Sequence, residues 1–156
     1  MLSICLSTFT LIIFIIVCFT LLRTNYLLIK IIFVIVYLVF IISFLYTVLI
    51  NPGIPRKQYY IEYFKNKNLG SKDNWQRCSK CNILIPKNFK VTHCQKCQVC
   101  VREQDHHCPW TGKCIGKYNL ISFYIFVNSL FAYIFAIFIT LFGYIFIIIN
   151  KKKNSQ

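Results

Sequence analysis

Three stretches of the chain carry no charged residue and no polar face: Leu2 to Leu22, Ile31 to Ile50 and Ile121 to Ile149. Each reaches the roughly 20 residues a helix needs to cross about 30 Å of hydrocarbon at about 1.5 Å per residue. Helices packed on the core of a globular domain this size would each keep a polar side, and none of these does. The pattern predicts two transmembrane helices within 1–50, at about 2–22 and 28–50, and a third over 119–149 before a basic tail at 150–156. The first stretch has neither the basic flank nor the small-residue cleavage site of a signal peptide. Asn51-Pro52-Gly53 supplies strong breakers after the second helix. Residues 51–77 are polar, aromatic and basic without a clear period and are expected as a membrane-proximal linker. Tyr59, Tyr60, Tyr63, Phe64 and Trp75 are its candidates for the interface. Residues 78–118 contain too few aliphatics for a core of their own, so metal is expected to organise them. No internal repeat is visible beyond a recurring Cys-x-x-Cys spacing.

Composition agrees with that division. The 156 residues are 57% hydrophobic and 14% charged, with mean hydropathy +0.58, too apolar for a soluble domain of this size. Of 18 Lys and Arg, 13 fall between Arg56 and Lys117, together with all 4 acidic residues. By the positive-inside rule this central segment faces the cytosol. Thiols stay reduced there, which points the cysteines toward metal binding or nucleophilic chemistry and away from disulfides. Cys5 and Cys18 read as small residues of the first helix. Basic charge beside a bilayer ordinarily attracts anionic headgroups, and without a basic helix or an aromatic-basic pattern no nucleic-acid partner is expected. A sharper role is to receive the phosphates of an anionic cofactor, with Arg56, Lys57, Lys87, Lys90, Arg102, Lys113 and Lys117 as candidates. Asn128 and Ser129 in the third helix read as helix–helix contacts before a substrate path.

The chemistry concentrates in one place. All 3 histidines and 7 of the 9 cysteines lie between Cys78 and Cys114. Cys78-x2-Cys81 and Cys94-x2-Cys97 have the spacing of zinc knuckles, and His93, Cys100, His107 and Cys114 bring the ligands to the eight that two tetrahedral zinc ions require. Spacing alone does not say which ligand goes to which ion. Cys108 and His106 are surplus. They lie two residues apart beside Asp105, the parts of an activated thiol nucleophile. If 105–108 runs extended, His106 and Cys108 share one face while His107 points the other way, toward metal. Asp105 then needs a local bend to orient His106. The competing reading makes Cys108 and His106 spare ligands or spacers.

Cys78 to Phe123 resembles the cysteine-rich domain of the DHHC family of protein S-acyltransferases (palmitoyltransferases). The matching elements are Cys78-x2-Cys81, Pro86, His93-Cys94-x2-Cys97-x2-Cys100, Asp105-His106-His107-Cys108-Pro109-Trp110, Cys114-Ile115-Gly116 and Asn119-x3-Phe123. Asn51-Pro52-Gly53 is similar to the family's Asp-Pro-Gly. The resemblance implies one structural zinc on Cys78, Cys81, His93 and Cys100 and another on Cys94, Cys97, His107 and Cys114. It implies Cys108 as nucleophile, His106 as base and Asp105 as the residue orienting it. Palmitoyl-CoA is the implied acyl donor, and membrane-associated proteins with cysteines near the bilayer are the implied acceptors. Trp110 is expected either as a rigid-turn interfacial anchor or beside the acyl chain or CoA entry.

The expected architecture is an all-α multi-pass membrane protein with a small zinc-stabilised cytosolic domain (78–118) containing short β-hairpins, in an endomembrane such as the ER or Golgi. Three helices are expected where the family usually has four, and no threonine-rich motif follows the third. A short variant or a truncated sequence is the expectation, with the lipid pocket incomplete or completed by a partner. The alternative function is a catalytically inactive, membrane-anchored zinc module acting in protein interaction or regulation. The spacing from Pro86 to His93 is two residues longer than usual, and Thr111-Gly112-Lys113 replaces a commoner Asn-containing run.

Overall fold

The computed structural model describes residues 2–22, 27–55 and 75–154. The interfacial candidates Tyr59, Tyr60, Tyr63 and Phe64, the side chain of Trp75, and the phosphate candidates Arg56 and Lys57 lie outside the described residues. The elements in chain order are α1 (Leu2–Leu22), α2 (Leu27–Leu49), β1 (Trp75–Cys78), β2 (Ile83–Pro86), β3 (Val91–Cys94), β4 (Val99–Arg102), β5 (His106–Cys108), β6 (Lys113–Ile115) and α3 (Leu120–Lys153). They fall into two units, residues 1–45 with 122–156, and residues 46–121.

The first unit inverts the arrangement of a soluble bundle. Many of its large aliphatics point outward; Leu28, Ile32, Ile42 and Ile139 are all exposed, while Thr10, Ser43, Ser129 and Thr140 are buried. An aromatic column fills the centre. Phe14 stacks on Tyr37 with centroids 4.0 Å apart, and Tyr133 meets Phe33, Tyr37 and Phe40 at 5.4–5.7 Å. Phe126 continues the column to Phe40 and Phe44. Polar links tie the helices: Tyr133 Oη donates to the Thr10 carbonyl at 3.1 Å, and the Ser43 and Ser129 hydroxyls lie 3.2 Å apart. Small hydroxyls at a close helix contact are what association in an apolar solvent favours. Asn128, one residue from Ser129, is exposed and donates within its own helix to Tyr124 O. Of the two polar residues singled out in the third helix, only Ser129 forms a contact between helices among the described residues.

α2 and α3 are long and apolar enough to cross a membrane by length and composition, and α1 offers a shorter apolar stretch, Cys5–Leu21. α3 does not stop at 149. It runs through Lys151, Lys152 and Lys153, so most of the expected basic tail is helical. Three cations in a last turn meet the negative end of the helix dipole, which favours continuing the helix.

The second unit is three two-stranded antiparallel hairpins, β1–β2, β3–β4 and β5–β6. Its interior is mostly sulfur. Cys94, Val101 and Cys114 form the buried cluster, with Cys97 and Val99 against it, and Ile85 and Ile115 are among the few buried aliphatics. So little aliphatic burial does not offset the entropy of ordering hairpins this short. The Pro52-Gly53 turn packs into the same unit. Gly53 O accepts from Arg102 N at 2.9 Å, and Asn51 Oδ1 caps the turn through the Gly53 and Ile54 amides. Gly116 makes this fit possible, because a Cβ there would lie 2.5 Å from Pro52 O and 2.7 Å from Val101 Cγ1.

Candidate active site and metal centres

The three hairpins turn in the same way. Asn82 N donates to Cys78 O at 2.9 Å, Gln98 N to Cys94 O at 2.8 Å, and Gly112 N to Cys108 O at 3.0 Å. Each amide belongs to a residue in the left-handed region, with φ of 54° at Asn82, 55° at Gln98 and 68° at Gly112. A backbone that reverses four residues after a cysteine aims the side chains at both ends of the turn to one side. In the first two turns these are Cys78 with Cys81 and Cys94 with Cys97. In the third the partner of Cys108 is Thr111, buried, its hydroxyl directed to Cys108 O at 3.4 Å.

Each knuckle is completed by the next hairpin. His93 and Cys100 are cross-strand partners in β3–β4, and His107 and Cys114 are cross-strand partners in β5–β6. Directly opposed residues share a face, so each such pair presents one ring nitrogen and one sulfur together. Cys78, Cys81, His93 and Cys100 therefore converge, as do Cys94, Cys97, His107 and Cys114, with all ligand atoms of a set within 4.8 Å of one another. His93 Nδ1 stands 3.2 Å from Cys81 Sγ, 3.7 Å from Cys78 Sγ and 3.9 Å from Cys100 Sγ. His107 Nδ1 repeats the pattern at 3.2 Å to Cys97, 3.8 Å to Cys94 and 3.9 Å to Cys114. Ligands on a tetrahedral zinc at 2.0–2.3 Å stand roughly 3.5–3.8 Å apart. Both sets can hold a metal ion of that size and softness.

Burial, then the neighbouring thiols, pushes Cys100 and Cys114 above the ordinary thiol value. The Cys81 amide pulls Cys78 down, and at Cys94 burial opposes the thiolate but the hydrogen bonds from the Cys97 and Lys96 amides and the neighbouring thiols together outweigh it. Within one set, some thiols favour the thiolate and others resist it, the behaviour of like charges crowded at one point. A dication removes that conflict.

Cys108 belongs to neither set. On β5–β6, His107 and Cys114 occupy one face, while the pairs His106–Ile115 and Cys108–Lys113 occupy the other. Cys108 is buried to 2% exposure. His106 Nδ1 lies 3.0 Å from Asp105 Oδ2. Strict alternation would put Asp105 on the metal face. It stands instead just before β5, after a turn at Glu103 with φ 47°, and its amide bonds Ile115 O at 2.9 Å. That turn supplies the bend that brings its carboxylate to His106. Trp110 sits exposed in the tight turn between Cys108 and Lys113.

The phosphate candidates separate. Lys113 Nζ is held by Val48 O and Ile50 O at 2.6 and 2.7 Å, and Lys117 Nζ by Glu103 Oε1 at 2.6 Å. Arg102 lies over the Phe89 ring at 4.4 Å and, with Lys90 and Asp105, lines a cavity of about 500 Å³. Lys87 is exposed. Sequence reasoning missed the place of Thr111 in the third turn and the tie from Lys113 to α2, and no local sequence signal marks either.

A family model described as DHHC palmitoyltransferase matches residues 71–156, more than half of the chain. Palmitoyltransferase ZDHHC14 of Mus musculus is 40% identical over 79 residues, covering 51% of this chain and 14% of the relative. Palmitoyltransferase ZDHHC7 of Rattus norvegicus is 35% identical over 98 residues, covering 59% and 31% respectively. For Palmitoyltransferase ZDHHC9 of Pongo abelii the identity is 37% over 81 residues, covering 51% and 22%. The chain thus spans less than a third of the length of each of these relatives.

Proposed function

The chain belongs to the DHHC palmitoyltransferase family, and on that premise we propose that it is a protein S-acyltransferase acting through an acyl-enzyme on Cys108. The observation that carries the reading is the division of the third hairpin: one face joins a four-ligand set, and the other presents a buried thiol two residues from an Asp-paired histidine. Asp105 fixes Nδ1–H of His106, so Nε2 is the nitrogen with a lone pair for a proton. His106 takes the Cys108 proton as the sulfur attacks the thioester carbonyl of palmitoyl-CoA. The C–S bond to CoA breaks, and CoA leaves as a thiol with that proton. A cysteine thiol of an acceptor protein then attacks the acyl-Cys108 carbonyl, His106 removes its proton, and Cys108 is released with the proton returned. One thioester replaces another at each step, so the protein chiefly supplies proximity, a thiolate and a dry site.

Cys78, Cys81, His93 and Cys100 are the residues we assign to one zinc ion, and Cys94, Cys97, His107 and Cys114 to the other. Zinc there would have four protein ligands and no open position, so it would serve folding and not the reaction. Lys90 and Arg102, at the cavity beside Asp105, are the described cations we assign to the CoA phosphates. We place α1, α2 and α3 in the bilayer of an endomembrane, with residues 51–118 on its cytosolic side. The outward aliphatics and inward hydroxyls of the helical unit support this, as does the basic charge of the central segment. Acceptors are then membrane-associated proteins whose cysteines reach that surface.

The test is an acylation assay on the purified chain with alkyne-tagged palmitoyl-CoA. A hydroxylamine-sensitive label absent from Cys108→Ser is expected. An unlabelled wild type, or a label that survives in Cys108→Ser, refutes the proposal.

A further inference from the structure

Lys113 lies directly across the third hairpin from Cys108, on the face that carries no metal ligand. Its ammonium reaches Val48 O at 2.6 Å and Ile50 O at 2.7 Å. These carbonyls close α2, where the last turn of a helix has no amides of its own to satisfy them. A cation there also meets the negative end of the helix dipole. The bonds are charge-assisted and partly buried, the kind least screened by water. A second tie holds the far end of β6. Asn119, with 0% exposure, donates Nδ2 to Cys114 O at 3.1 Å and to Thr47 O at 3.4 Å, and accepts from Gly116 N at 2.8 Å. The end of α2 is thus gripped on both sides of a strand three residues long.

We propose that Lys113 is a positioning residue for Cys108: by clasping the carboxyl end of α2 it fixes the hairpin that carries the thiol, and so the distance from the sulfur to the acyl thioester. The proposal rests on the acyl-transfer reading. Methionine matches the length of lysine without donors, whereas arginine keeps a cation that donates to two carbonyls.

The experiment measures acyl-enzyme formation from palmitoyl-CoA in the full chain, with zinc counted in each variant. Lys113→Met is expected to lower the rate at saturating acyl-CoA about 10- to 100-fold, the range for a misplacement near 1 Å. The half-saturating concentration and the zinc content should hold, and Lys113→Arg should recover most of the rate. A wild-type rate in Lys113→Met overturns the proposal. So does a change confined to the half-saturating concentration, which would make Lys113 a phosphate-binding group, or a Lys113→Arg variant as slow as Lys113→Met. If Lys113→Met loses zinc, Lys113→Gln decides, since its amide keeps a donor: an intermediate rate with zinc retained supports the clasp, and a wild-type rate overturns it. A wild-type chain that forms no acyl-enzyme refutes the acyl-transfer reading itself, a result distinct from a labelled wild type with an unaffected variant.

Discussion

Cys94 and Cys108 stand at the same place in successive hairpins. Each ends a strand, follows a histidine, and accepts a turn-closing amide four residues on, from Gln98 in one case and Gly112 in the other. Cys94 then finds Cys97 beside it and the next hairpin's His107 and Cys114 in front of it. Cys108 finds Thr111 beside it, and among the described residues no further His–Cys pair completes a set around it. The same fold unit therefore makes a candidate metal ligand in the second hairpin and a candidate nucleophile in the third. What separates them is one missing thiol and one missing neighbour. His106 takes the place that Thr92 holds in β3, so the proposed base stands where the second hairpin has a hydroxyl.

Substitutions that break this comparison should rank by how much of the unit depends on each residue. Cys97→Ser should do most. It opens one set, and β3 sends His93 to one set and Cys94 to the other, so both zinc ions and the hairpins should be lost together. Structural zinc contributes on the order of 10 kcal/mol to small domains. Metal analysis and circular dichroism check this, and retention of one zinc would contradict it. Adjacent histidines should then part company: His107→Ala should lose zinc, while His106→Ala should keep two zinc ions and slow acylation by about 10²–10⁴-fold, the usual contribution of a general base. Equal zinc loss in both would erase the distinction between the two faces.

Thr111→Cys sharpens the comparison from the other side by restoring the second thiol of the knuckle. Acyl-enzyme formation should fall in non-reducing buffer and return with a thiol reductant, as Cys108 is drawn into a pair; full activity without reductant would show that the neighbour is immaterial. Asp105→Asn should slow the reaction less than His106→Ala, since the contact between the two side chains is about half exposed and a hydrogen bond so open to water contributes about 1 kcal/mol. Smallest is the Glu103–Lys117 pair. Lys117 holds the Glu103 carboxyl below its ordinary value, so its stabilisation is present above the unfolded value, about 4.3, and lost as pH falls through the lower folded one. Glu103→Gln should lower the melting temperature slightly at neutral pH, and the difference should vanish in acid.

Much of this was legible in the chain because it is written locally. Long uncharged runs announce apolar helices, and two Cys-x-x-Cys pairs beside His-Cys neighbours announce metal-holding turns. The grouping of ligands was not available from spacing, because it depends on cross-strand register: His93 meets Cys100 only when β3 and β4 pair as they do. Nor was the kinship of the third turn with the first two. Its marker is a positive φ, and Asn82, Gln98 and Gly112 are different residues that reach it. The tie from Lys113 to Val48 and Ile50 spans more than 60 residues of sequence. Its charge suggested a phosphate, and only the fold shows the carbonyls.

The most direct test of the division between metal-holding and reactive hairpins is native mass spectrometry of the chain after exposure to palmitoyl-CoA, with the acyl site mapped by fragmentation. Molecules carrying two zinc ions and one acyl group, on Cys108, are the predicted species. Acylation that appears only as zinc is lost, or that maps to one of the eight residues in the two sets, would contradict the account.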